Sequence, residues 1–338
     1  MSRWLTPTLW SLCLFGLTVP AFAQFPAPPA PSTSSNDSVS HMIRFYEDDD
    51  CINIWFDGTD DAYSNGTRID YFYQSARPSH FFLDRWMPGA GDSSIDIYGW
   101  GAMQIMYTPY NISSPNYQPN DYPWSGALTG THTRYSYNAE KKFDLQSELV
   151  LGVIGPAALD RQTQSLVHDI IQYYHPDGWS RQFSNDLLLN VNFTAEKQLI
   201  ALGSVVNVIG GAQVYTGTMQ NGAALYPMLL IGRMNPYFQG FFRQNTSPGH
   251  EDGRQHWQLY FFAKPELQWF LSNALLHGGL FIGNPGYHPL QNWVPSFTYG
   301  MNASYGHWGF SGSQIISAAT LRGLYCHNYG NVSLFYAW

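Results

Sequence analysis

The chain has 338 residues with 16 Lys+Arg against 24 Asp+Glu, a formal net charge of −8, 12% charged residues and 17% aromatic residues. A nucleic-acid partner would call for a basic footprint, so that class is excluded. Soluble domains carry about 25% charged residues; many aromatics, few charges and no long apolar helix instead fit a transmembrane β-barrel.

Residues 1–23 read as a secretory signal, with Arg3 in the n-region, an apolar stretch from Leu9 to Val19 and an Ala21-Phe22-Ala23 cleavage site. The stretch is too short to span a bilayer as a helix. Losing Arg3 takes the net charge from −8 to −9. Of three cysteines, Cys13 leaves with the signal, and Cys51 and Cys326 are expected as free thiols. Residues 24–40 are rich in Pro and Ser and are predicted to form a flexible arm. The barrel domain is assigned to residues 41–338.

From residue 41 polar and apolar residues alternate over runs of roughly ten, as barrel strands do. Phe143, Leu145, Leu149, Leu151 and Val153 share one parity, and Ile69, Tyr71 and Tyr73 alternate with Arg68, Asp70 and Gln74. Val332, Leu334, Tyr336 and Trp338 form one face of the last run, and an amphipathic strand ending on an aromatic residue resembles an outer-membrane assembly signal. The pattern predicts an all-β antiparallel barrel of about twelve strands, near 41–56, 64–75, 94–107, 124–137, 142–154, 185–195, 198–215, 223–233, 255–271, 292–305, 308–320 and 328–338. A soluble β-sandwich or secreted lectin is the competing reading, and the terminal aromatic strand weighs against it.

With a periplasmic N-terminus, Asn138–Lys141 and Ala195–Lys197 become short periplasmic turns, and the longer joins after the first, third and fifth strands fall outside. Met234–Arg254 is long yet should be periplasmic, and the strand pattern gives no reason for it.

Gly155–Asp186 holds the one convincing helix. Leu166, Val167, Ile170 and Ile171 recur at helical spacing, so one side is apolar. Gln164 and His168 are four apart and share a face. A surface helix with a solvated histidine is the plainer alternative.

Glu47, Asp48, Asp49 and Asp50 are consecutive. In a strand they alternate between faces, and two would face lipid, which is costly unless they are high on the wall, paired or bound to a cation. Hard oxygen donors suit Ca²⁺. Gly58–Gly66 follows, and a hairpin would bring Ser64 opposite the acids; the alternatives are a solvated strand end and an ordinary Asn-Gly turn. There is no G-x-S-x-G, H-E-x-x-H or C-x-x-C motif.

Y-E-D-D-D at 46–50, T-D-D-A-Y-S-N-G at 59–66, Q-I-M-Y-T-P at 104–109, G-V-I-G-P at 152–156, Gln164-x-x-x-His168 and G-W-x-x-Q at 178–182 together resemble the LpxR family of outer-membrane lipid A 3′-O-deacylases. The resemblance is densest from Tyr46 to Asp186; beyond Gly203 it is one of strand pattern. It implies a twelve-stranded barrel, a site between the wall and a helix from an extracellular loop, Ca²⁺ as cofactor, and lipid A of lipopolysaccharide in the outer leaflet as substrate. It makes His168 the catalytic histidine, Asp49 the essential aspartate and Ser64 the hydroxyl beside the metal; Asp48, where the family commonly has Asn, joins Asp49 at the metal, its extra carboxylate either tightening metal binding or repelling the developing oxyanion. Gln164 would position water or head group. Tyr174 falls where a member type has an acid; if that acid orients the histidine, another group must do so for His168. A monomer is expected. Rival readings are an outer-membrane phospholipase A-type esterase and a non-catalytic barrel or porin.

Overall fold

The computed structural model describes residues 39–53, 61–74, 79, 81–248, 256–281 and 288–338. The signal, residues 24–38 of the arm, and Gly58, Thr59 and Asp60 of the second cluster lie outside the described residues.

Twelve strands follow in order: β1 (His41–Asp49), β2 (Ala62–Gln74), β3 (Ile95–Thr108), β4 (Ser125–Asn138), β5 (Phe143–Ile154), β6 (Asp186–Leu202), β7 (Val206–Gly217), β8 (Gln220–Arg233), β9 (Trp257–Asn273), β10 (Trp293–Tyr305), β11 (Trp308–Ser317) and β12 (His327–Ala337). Each pairs antiparallel with its neighbour in sequence, and β1 closes on β12 through Met42↔Ala337 to Asp49↔Gly330. Closure leaves no unpaired edge, which a bilayer demands because no water is there to satisfy backbone groups.

Strand parity sorts the two faces. Ile69, Tyr71, Leu151 and Leu334 are exposed on the outside. Inside, Asp70 bridges Arg44 at 2.6 Å and Arg68 at 2.8 Å, and Arg68 also reaches Glu148 at 2.7 Å. A polar lumen inside an apolar outer wall is the membrane-barrel arrangement. At the seam, Trp338 stacks on Tyr336 and His41 with centroids 5.8 and 5.7 Å apart.

Two boundaries differ from expectation. The run Ala195-Glu196-Lys197 is not a turn but part of β6, because Glu196 points inward and accepts hydrogen bonds from Tyr226 and Tyr237, both at 2.7 Å. The turn comes later, at Gly203, whose φ of +60° suits glycine. β1 ends at Asp49, whose carboxylate caps Cys51 N at 2.8 Å and starts a 3₁₀ turn over Asp50–Ile52.

The described part of the long join after β8 turns into the lumen. It carries a 3₁₀ turn, Tyr237–Gln239, and a short helix, α2 (Phe241–Asn245). Phe241 meets Phe72 of β2, Tyr135 of β4 and Phe335 of β12, with centroids 4.7, 5.7 and 6.4 Å apart. Phe242 belongs to one buried cluster with Met42, Ile97, Tyr137 and Ala337. The segment therefore plugs the barrel at the end that carries both strand termini. Phe242→Ala should cost about 3–5 kcal/mol, read as a lowered urea midpoint of the detergent-folded barrel; an unchanged midpoint would mean the plug adds nothing to stability.

Candidate active site on the outer wall

The helix after β5, α1 (Asp160–Ile171), buries Asp160, Gln164 and His168 and exposes Leu166, Val167, Ile170 and Ile171. Its burial is inverted relative to a helix on a water-soluble core. The cause is its seat on the outside of the barrel: its polar stripe meets the wall, and its apolar side faces away from it. Gln104 of β3 donates to Ala158 O at 2.7 Å and Gly155 N donates to Gly126 O of β4 at 2.9 Å, holding the entry turn on the wall. Gly126 is essential to the approach, since a Cβ there would lie 1.8 Å from Asp160 Oδ2.

The end of α1 sets the histidine. Gln172 adopts φ +57° and closes the helix, and Tyr173 N donates back to His168 O at 2.9 Å. That reversal carries the Tyr174 carbonyl to 2.6 Å from His168 Nδ1. A carbonyl only accepts, so Nδ1 bears the proton and the basic lone pair is on Nε2. The orienting group absent from the Tyr174 side chain is thus supplied by its backbone. The Tyr173 ring meets the imidazole edge-on at 5.3 Å. One turn earlier, Gln164 Oε1 accepts from Trp179 Nε1 at 2.7 Å, which fixes the amide.

The acids split across the wall because successive strand residues alternate. Asp48 turns inward and accepts from Tyr46 at 2.6 Å, Tyr63 at 3.0 Å and Asn331 at 2.9 Å. Asp49 shares the outer face with Glu47, opposite Asn65 and Thr67 of β2. Asn65 Nδ2 bridges them, at 2.6 Å from Glu47 Oε1 and 3.2 Å from Asp49 Oδ2, and Thr67 also donates to Glu47 at 3.2 Å. A bulge between Tyr63 and Asn65 leaves Ser64 as the extra residue. Tyr63 goes inward to Asp48, while Ser64, buried, hydrogen-bonds Thr108 at the end of β3.

The structure thus places Asp49 and Ser64 on adjacent strands at the same end of the wall, and α1 rests on the next strand, β3. Asp48 is separated from them by the backbone, and Glu47 takes the place beside Asp49 that the sequence reading gave to Asp48. Among the described residues, no three His, Cys, Asp or Glu side chains converge as a metal cluster.

Asp160 was not singled out from sequence, although it stands at i−4 from Gln164 and i−8 from His168. It is 1% exposed and neither carboxyl oxygen has a hydrogen-bond partner. Burial pushes its pKa up to about 8. The docked helix therefore holds a proton that the undocked chain releases above about pH 4. Docking is strongest below that pH and weakens by up to about 1.4 kcal/mol per pH unit until about pH 8. Asp160→Asn should flatten this profile, measured as hydrogen exchange of the α1 amides against pH; an equally steep profile in the variant would contradict it.

Closed barrel, polar lumen and an external helix with its polar stripe on the wall define an integral membrane β-barrel. The family profile described as "Outer membrane protein LpxR" matches residues 9–338, and the chain belongs to that family and to the outer membrane. LpxR from Salmonella typhimurium has a similar structure, with TM-score 0.69, 17% identity, and 87% of this chain and 99% of that chain covered. The β domain of the Bordetella autotransporter BrkA is more distant, with TM-score 0.42, 10% identity, and 89% and 99% covered. No curated protein matches the chain in sequence.

Proposed function

We propose that this protein is a calcium-dependent lipid A 3′-O-deacylase whose cleft faces the outer leaflet. The observation that carries the reading is His168, oriented through Nδ1 on the polar stripe of a helix whose other side is exposed for lipid. In this reading the joins after β3 and β5 lie at the outer-leaflet end, which makes the plugged, terminus-bearing end periplasmic.

In this reading His168 Nε2 takes a proton from a water positioned with the Gln164 amide. The resulting hydroxide adds to the ester carbonyl carbon of the 3′-linked acyl chain. Collapse of the tetrahedral adduct breaks the C–O bond, and the imidazolium returns its proton to the departing 3′ oxygen. The products are a free 3′ hydroxyl and an acyloxyacyl acid. The exposed Leu166, Val167, Ile170 and Ile171 border the path by which acyl chains enter.

The outer-face donors fit a hard cation: carboxylates of Asp49 and Glu47, the Asn65 amide oxygen and the Ser64 hydroxyl are all oxygen. Asp49 and Ser64 would hold Ca²⁺, with Glu47 contributing negative charge from the same face. When bound, Ca²⁺ supplies positive charge to polarise the ester carbonyl and stabilise the oxyanion. Asp48 supports the site from the lumen side, tying Tyr63 so that the bulge presents Ser64. The plug across the lumen favours an enzyme over an open pore.

Purified protein offered lipid A and a glycerophospholipid in the same micelles tests the substrate class. Release of the 3′ acyl chain alone is expected; release of fatty acid from the glycerophospholipid alone would favour the phospholipase reading.

A further inference from the structure

The chain has four lysines, and three of them sit together. Lys141 and Lys142 occupy the turn between β4 and β5, and Lys197 on β6 pairs in register with Phe143, the first residue of β5. Lys197 Nζ donates to Lys141 O, and Gln198 N donates to Lys142 O at 3.0 Å, so the turn and β6 are tied. The Lys141 ammonium reaches the other way, toward Gly91. The fourth lysine, Lys264, bonds Glu266 at 3.0 Å and lies over the Tyr226 ring, facing the lumen. Every lysine outside the lumen is therefore in this one patch, in a chain of net charge −8. The acids beside it are Glu140, in the same turn, Asp92, next to Gly91, and Asp144 and Glu196, which are turned inward, to Tyr135 and to Tyr226 and Tyr237.

Next to the lysines the wall is hollow. A groove of about 460 Å³ is lined by Phe143, Ala195, Leu199, Gly210, Ala212 and Pro227 among others. Small residues make it. Elsewhere the outer wall carries exposed Ile69, Leu151, Trp269 and Trp293, whereas Ala195, Gly210 and Ala212 bring the backbone close to the surface here. A Cβ on Gly210 would stand 3.1 Å from Leu199 Cδ1, so a larger side chain would close the hollow. Lysines on a lipid-facing wall are costly at mid-bilayer and favourable at head-group level, where they meet phosphates. The patch is at the terminus-bearing end, opposite α1, so it faces the other leaflet.

We propose that this groove is a binding site for an anionic glycerophospholipid, one acyl chain in the hollow and the head-group phosphate on Lys197 and the adjoining lysine turn. The site rests on the barrel spanning a membrane and not on the deacylase reading.

The test uses the full mature chain in nanodiscs of equal parts phosphatidylglycerol and phosphatidylcholine, with retained lipid identified by native mass spectrometry. Wild-type protein should hold phosphatidylglycerol with a preference of about tenfold or more, since each lysine near a membrane surface adds roughly fivefold in favour of an anionic surface. Lys142→Gln with Lys197→Gln should bring the two lipids to parity, and Gly210→Leu should reduce retention of both. Heat-modifiable gel mobility confirms that the variants fold, and the wild-type preference can be read without them. Equal retention of both lipids by wild type, unchanged retention in the folded variants, or a lipid-free dimer would overturn the proposal. Lipid A deacylation is expected to persist in both variants, so failure of this site and failure of the proposed reaction are told apart.

Discussion

His168→Ala is expected to lower release of the 3′ acyl chain about 10²–10⁴-fold, the range for removing a general base, while the barrel still assembles. The separation of effects follows from position. His168 sits on α1, outside the strand ladder, and its Nδ1 bond runs to a carbonyl six residues on, within the same loop. His168→Gln retains bulk and polarity without a base of matching pKa and should be equally slow. Tyr174→Ala should remain active, because the orienting atom is the backbone oxygen. The measurement is initial rate on lipid A in detergent, with gel mobility as the fold control. A His168→Ala enzyme at the wild-type rate would reduce the histidine to a structural role.

Excess chelator and Asp49→Ala are each expected to cost about 10²–10³-fold, the scale for removing one electrostatic stabiliser of an oxyanion. Asp49 and Glu47 share the outer face through Asn65, and Asp48 lies behind the wall with Tyr46, Tyr63 and Asn331. Calcium should therefore slow hydrogen exchange in β2 near Asn65 in wild type and in Asp48→Asn, but not in Asp49→Ala. This exchange readout is independent of turnover. Activity untouched by chelator, or calcium protection lost in Asp48→Asn and kept in Asp49→Ala, would contradict the assignment.

The strand ladder was legible because lipid outside and polar groups inside impose a period of two, as in Phe143–Ile154 and His327–Ala337. The same alternation set Asp48 and Asp49 on opposite faces, but it did not say which faced outward. That was decided by register, through Asp49↔Asn65 and Asp48↔Gly66. The bulge that turns Ser64 toward Thr108 has no local signature, since Tyr63-Ser64-Asn65 reads equally well as regular strand. The α1 pattern was visible, yet its apolar stripe carried no sign of what it would face; Asp160, Gln164 and His168 are buried because a wall lies beneath them. The histidine's partner was hidden for a different reason. It is a main-chain oxygen, placed by the left-handed Gln172, and side-chain identity does not encode it. The join after β8 looked anomalous because a long periplasmic connection has no place in strand counting; its aromatic residues pack into one end of the lumen.

Mass spectrometry of lipid A from cells with and without this protein, and with the His168→Ala form, addresses the central claim most directly. The expected result is lipid A lighter by the 3′ acyloxyacyl group only where wild-type protein is present in the outer membrane. Lipid A of unchanged mass beside correctly assembled wild-type protein, or the same loss with His168→Ala, would contradict it.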